Sequence, residues 1–153
     1  MLRASINDAL KTAMKAKDQR STSTIRLILA ALKDRDIAAR GNGTSEPISD
    51  EALLEMLQKM VKQRHESIEM YRKGNRADLV TQEEEEIAII ERFLPKQMGE
   101  DETAAAVDAA IAAVGATGIK DMGRTIAALK KDYAGRMDFA KASGVVKRRL
   151  GLA

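Results

Sequence analysis

The sequence predicts an all-α protein, with an N-terminal four-helix domain at 1–95 and a short three-helix C-terminal domain at 96–153. Apolar residues recur at helical spacing along nearly the whole chain, and no segment shows the alternation of a half-buried strand. Aromatic residues make up only 3%, with no Trp, and the apolar content rests on Ala, Leu, Ile and eight Met. That balance suits helices and withholds the β-branched and aromatic residues that sheets favour. The boundary comes from Pro95, which ends a helical pattern, and from Gly99, which loosens the residues after it.

Leu2, Ile6, Ala9, Leu10, Ala13 and Met14 form the apolar stripe of a first helix. A second helix is expected from near Ser21, carrying Ile25, Ile28, Leu29 and Leu32, and a polar loop follows from Gly41 to Glu46. Ser49 can cap the third helix, Asp50 and Glu51 suit its first turn, and Ile48 can staple onto Leu53. Leu53, Leu57, Met60 and Val61 continue its stripe until Gly74-Asn75 stops it. The fourth helix carries Leu79, Ile87, Ile90 and Leu94 and is expected to run to Pro95. Residues 96–100 read as a linker and a candidate hinge.

Beyond the linker, Asp101 opens an Ala-rich helix with Val107, Ile111 and Val114 inward, closed by Gly115. Asp121 is expected to cap a short helix through Met122, Ile126 and Leu129 to Tyr133, with Gly135 just past its end. Asp138 caps the last helix, which carries Phe139, Ala142, Val145, Val146 and Leu150. These three helices are short, so packing must hold them.

Composition narrows the function. Without Cys, disulfides, thiol catalysis and Cys-based zinc sites are excluded. No apolar run approaches the roughly 20 residues of a membrane span, and the N-terminus lacks the apolar stretch of a signal peptide. A soluble cytoplasmic protein without a membrane partner is the expectation. The net charge of +3 is unevenly spread. Residues 1–40 hold nine Lys/Arg against four acids, residues 41–100 eight against thirteen, and residues 101–153 nine against six. Two basic ends around an acidic middle suggest a phosphate-binding surface, although solvated helix faces give the same pattern.

The chemistry-bearing residues are sparse. His65, the single histidine, sits in a polar helical stretch with no partner for catalysis or metal binding. The run Glu83-Glu84-Glu85-Glu86 points around a helix and reads as a solvated face. No glycine-rich phosphate cradle occurs, and Ser21 and Ser23 are better explained by a helix start than by nucleophilic work. No catalytic residue, metal ligand or cofactor is assigned. Cations give the better signal. Arg26, Lys33 and Arg40 recur every seven residues along one face, and Lys11 and Lys15 stack one turn apart on another. Lys120 and Arg124 surround one helix start, Arg136 precedes the next, and Lys147 to Arg149 close the last helix.

Several stretches together resemble the GatB/YqeY family. Ala13 to Asp18 with Thr24 to Leu27 is similar to its N-terminal signature, and Gln63-Arg64 with Glu66 to Glu69 to its central helix. Phe93-Leu94-Pro95-Lys96-Gln97 resembles its hinge, and Lys120 to Arg124, Gly135-Arg136 with Asp138, and Val145 to Lys147 resemble its tail motifs. Phe139 stands where the family commonly has glycine. In this family a stand-alone helical protein shares its C-terminal module with the tail of the tRNA-dependent amidotransferase B subunit. The resemblance therefore implies a tail domain of GatB/YqeY type and a non-catalytic adaptor for tRNA or another folded RNA. Lys120, Arg124, Arg136 and Lys147 are the expected phosphate contacts. A module docking on an aminoacyl-tRNA synthetase or amidotransferase is the alternative, and an accessory part of an amidotransferase a third.

Overall fold

A computed structural model describes residues 1–151, and all regular structure among them is helical. Seven α-helices and one 3-10 turn follow in order, distributed over two compact units that divide at Pro95 and Lys96.

The first unit holds α1 (Leu2–Lys15), α2 (Gln19–Gly41), α3 (Asp50–Lys73) and α4 (Ala77–Glu91). Its core is the meeting of their apolar stripes, with Ile6, Ile25, Ile28, Leu53, Leu57 and Ile90 all buried. Lys17, at a φ of 57°, turns α1 into α2. The second helix starts at Gln19, ahead of the expected Ser21, because Asp18 caps it. The Asp18 carboxylate accepts from the Ser21 N–H at 3.1 Å and the Ser21 hydroxyl at 2.6 Å. Gln19 and Arg20 carry no apolar signal, so periodicity alone starts the helix too late. Ser49 caps α3 as expected, accepting from the Ala52 N–H.

The polar loop after α2 is tied down by a charge pair. Arg3 grips Asp36 through two guanidinium hydrogen bonds of 2.9 and 2.8 Å, and Asp36 accepts from the Ile48 N–H at 2.9 Å. These bonds hold the Asp36 carboxyl below its usual range, with the Arg3 bond as the main cause. At the other end, α4 stops at Glu91 rather than reaching Pro95. The residues Arg92 to Leu94 instead close tighter turns, donating to the carbonyls of Ile89, Ile90 and Glu91. Proline disfavours helical backbone at the residue before it, which explains the early end.

The second unit holds α5 (Glu100–Val114), the 3-10 turn Ile119–Asp121, α6 (Met122–Tyr133) and α7 (Phe139–Arg149). Val107, Leu129, Met137, Ala142 and Val146 fill its core, with Met98 and Phe139 packed at the edge. Gly115 ends α5 in the left-handed conformation at a φ of 65°, where a side chain would strain the backbone. Asp138 caps α7 as expected, accepting from the Ala140 and Lys141 N–H groups.

Candidate functional site

The sequence motifs of the second unit turn out to build its frame. Asp121 does not cap α6: its carboxylate turns back to the connector before it. One oxygen accepts from the Thr117 N–H at 2.9 Å, while the other accepts from the Arg124 guanidinium at 2.6 Å. Arg124 also donates to the Val114 carbonyl at 3.1 Å, at the end of α5. Asp121 and Arg124 thus fasten the connector between α5 and α6. The Thr117 N–H, then the Arg124 bond, hold the Asp121 carboxyl down to about 2.

A second joint lies at the other connector. The Gln97 side chain donates to the Gly135 carbonyl at 2.7 Å, and the Met98 N–H donates to the Arg136 carbonyl at 2.9 Å. Arg136 answers by donating to the Lys96 carbonyl at 3.3 Å and facing Glu102 at 3.6 Å. Gly135 turns the chain there with a φ of 82°. Residues 96–98 are therefore not a free linker but a strap bonded along the turn between α6 and α7. Two motifs separated by about forty positions are one structural object.

Of the four expected phosphate contacts, Arg124 and Arg136 are consequently engaged within the unit. Lys120 and Lys147 are exposed, with no ion pair to a described residue. Lys120 belongs to the 3-10 turn and Lys147 to the final turns of α7.

The acid run of α4 also departs from a purely solvated face. Glu86 is buried and accepts from Arg64 of α3 at 3.0 Å, and Glu83 lies 4.0 Å from the same guanidinium. Burial, followed by the Glu86 charge, raises the Glu83 carboxyl above its usual range. Only Glu84 and Glu85 look outward, toward Arg72 and Arg20. Glu86 lies beside Ile87 and Ile90 on the packed side of α4, which periodicity of apolar residues alone does not reveal. His65 is exposed, and no acid or histidine cluster with metal-binding geometry occurs among the described residues.

A row of unengaged cations lies in the first unit. Arg26, Lys33 and Arg40 are exposed along α2 and form no ion pair with a described residue. They border two shallow depressions between α1 and α2. The first includes Asn7, Leu29, Lys33, Ile37 and Arg40, and the second Met14, Lys17, Thr22 and Arg26. Asn7 and Met14 are seven apart on α1, as the cations are on α2, so both depressions follow one side of the hairpin. Met14 is 51% exposed and Ile37 53%, which places apolar surface between the charges. The side's acid, Asp36, is already bonded to Arg3 and the Ile48 amide.

A family model described as Yqey-like protein matches residues 3–150. The chain belongs to the YqeY-like family. This family is related to the tail of the amidotransferase B subunit. The YqeY-like chain is also similar to proteins named altered inheritance of mitochondria protein 41, mitochondrial. It is 41% identical to that of Lachancea thermotolerans over 91 residues, 60% of this chain and 46% of the relative. With the Eremothecium gossypii protein it shares 37% over 91 residues, 60% of this chain and 48% of the relative. With that of Saccharomyces cerevisiae (strain YJM789) it shares 36% over 85 residues, 56% of this chain and 44% of the relative. The chain spans about half the length of the curated relatives it matches.

These relatives correct three expectations. Their names place them in mitochondria, against the cytoplasmic expectation for this YqeY-like chain. Their names also carry neither tRNA binding nor amide transfer, which overturns the reading as an RNA adaptor of the aminoacyl-tRNA pathway. Docking on a synthetase or amidotransferase falls with it. Within the second unit, Arg124 and Arg136 serve the frame of the fold.

Proposed function

We propose that this chain is a protein-binding helical module that docks a partner on the α1/α2 side of its first unit. The observation that carries the reading is the α2 row of Arg26, Lys33 and Arg40, exposed and unpaired among the described residues, beside exposed Ile37 and Met14. Five desolvatable groups on one side of a helical hairpin are what a protein surface of mixed charge and apolar character complements. We further take the two units as separate domains, a four-helix domain and a three-helix tail of GatB/YqeY type that acts as a framed accessory. The compartment in the relatives' name, mitochondria, is where a partner is sought first.

The test places a photo-crosslinking residue at position 30, exposed between Arg26 and Lys33, and at position 55, exposed on α3. Discrete protein adducts at position 30 and none at position 55 are expected in cells. Absence of adducts at position 30, or equal adducts at both, overturns the reading.

A further inference from the structure

Resting on that reading of the α1/α2 side, we infer that its occupant is an acidic amphipathic helix of a partner protein. Charge sets the sign. The exposed cations are unpaired among the described residues, and Asp36, the acid bordering the first depression, is already bonded, so a complementary partner must bring carboxylates.

Spacing sets the shape. Arg26, Lys33 and Arg40 recur every seven residues, a step of about 10.5 Å along the axis. Seven residues fall only about 20° short of two full turns, so the three charges keep nearly one line. A second helix laid alongside with a slight supercoil presents acids at the same step. Between the charges, Leu29 and Ile37 of α2 and Met14 of α1 alternate with the cations, as an apolar seam flanked by charge requires. Phosphate backbones offer the carboxylates' charge but nothing to cover Ile37 and Met14. A lipid surface would cover them but imposes no seven-residue step. From Arg26 to Arg40 the row spans about 21 Å, the length of a four-turn helix.

The experiment uses the whole chain and a labelled synthetic helix of about 20 residues, with glutamates every seven positions flanking a leucine stripe. A peptide of identical composition and shuffled order is the control, read by fluorescence anisotropy across a salt series. The ordered peptide is expected to bind with salt-sensitive affinity and the shuffled one at least roughly tenfold more weakly. The triple reversal R26E/K33E/R40E should lose the ordered peptide and accept its lysine counterpart. R26Q/K33Q/R40Q, checked by circular dichroism and melting, serves if the reversal misfolds. Equal binding of ordered and shuffled peptides, unchanged affinity in both triple variants, or tight binding only of tRNA or anionic vesicles overturns the inference. If position 30 still crosslinks while the peptide fails, the partner is not an acidic helix but the docking reading stands. If both fail, the docking reading falls as well.

Discussion

The arginines singled out by spacing or motif fare differently in the two units, although Arg3, Arg20, Arg64 and Arg72 of the first are paired. In the second, Arg124 and Arg136 sit in recognisable motifs and donate hydrogen bonds to Asp121, Val114 and Lys96, with Glu102 facing Arg136 as an ion pair. In the first, Arg26, within the N-terminal signature, and Arg40, near the end of α2, remain turned to solvent. A unit built from three short helices and two connectors needs its polar groups to fix the connectors. A unit built from two helices of more than twenty residues can leave a helix side uncommitted. In the second unit, two motif arginines hold the connectors, whereas the α2 row takes no part in holding the fold.

The contrast is most sharply tested by breaking the core of the second unit. Leu129 is 1% exposed at the centre of the smaller unit, and Leu129→Ala should cost about 3 kcal/mol, enough to unfold that unit preferentially. Amide hydrogen exchange should show protection lost from α5 to α7 while α1 to α4 keep theirs. Retained protection in all seven helices would show that the smaller unit is not the weaker one.

Asp121 gives the next effect and a pH signature. Its folded carboxyl titrates at about 2, below the unfolded value of 3.8, so the stability it adds is present above about pH 4. That stability should fade as pH drops from about 4 toward 2. Asp121→Asn should lower the melting temperature of the second unit by several degrees and flatten its pH dependence over that window. An unchanged acid slope in the variant would assign the slope to other carboxylates.

Single cations then separate framing from display. Arg124→Ala should destabilise the second unit by up to about 1 kcal/mol, a modest figure because the side chain is 59% exposed. Lys33→Ala should leave melting unchanged within about 0.5 kcal/mol. A Lys33 effect as large as that of Arg124 would erase the distinction between the units.

An effect of opposite sign lies inside the first core. The Thr24 hydroxyl is buried and lacks a hydrogen-bond partner among the described residues. Thr24→Val removes that unsatisfied group and should raise the stability of the first unit by about 1 kcal/mol in a denaturant titration. A loss of stability instead would show that the hydroxyl has found a water.

Much of the helical architecture was legible because it rests on local signals. The apolar period placed the core residues Ile6, Ile28, Leu57 and Val146, and Ser49 and Asp138 marked helix starts through cap chemistry. The roles of individual polar residues were not legible, since they depend on which distant group lies opposite. Asp121 looked like a helix cap, but its carboxylate serves the preceding connector. Glu86 looked solvated and is buried against Arg64, twenty-two positions away. The row on α2 was visible as a spacing, yet that Asp36 beside it is bonded to Arg3 and the Ile48 amide could be seen only in the fold.

The strap at residues 96–98 has a consequence for which substitutions this chain tolerates. Its acceptors at Lys96, Gly135 and Arg136 are main-chain carbonyls, which no point substitution deletes. Side chains enter the joint through Gln97, Arg136 and the Glu102 that faces it, and position 135 enters through its positive φ. Either side chain can therefore be replaced singly while the main-chain Met98 bond stays, whereas a branched residue at 135 disfavours the turn that all three bonds share.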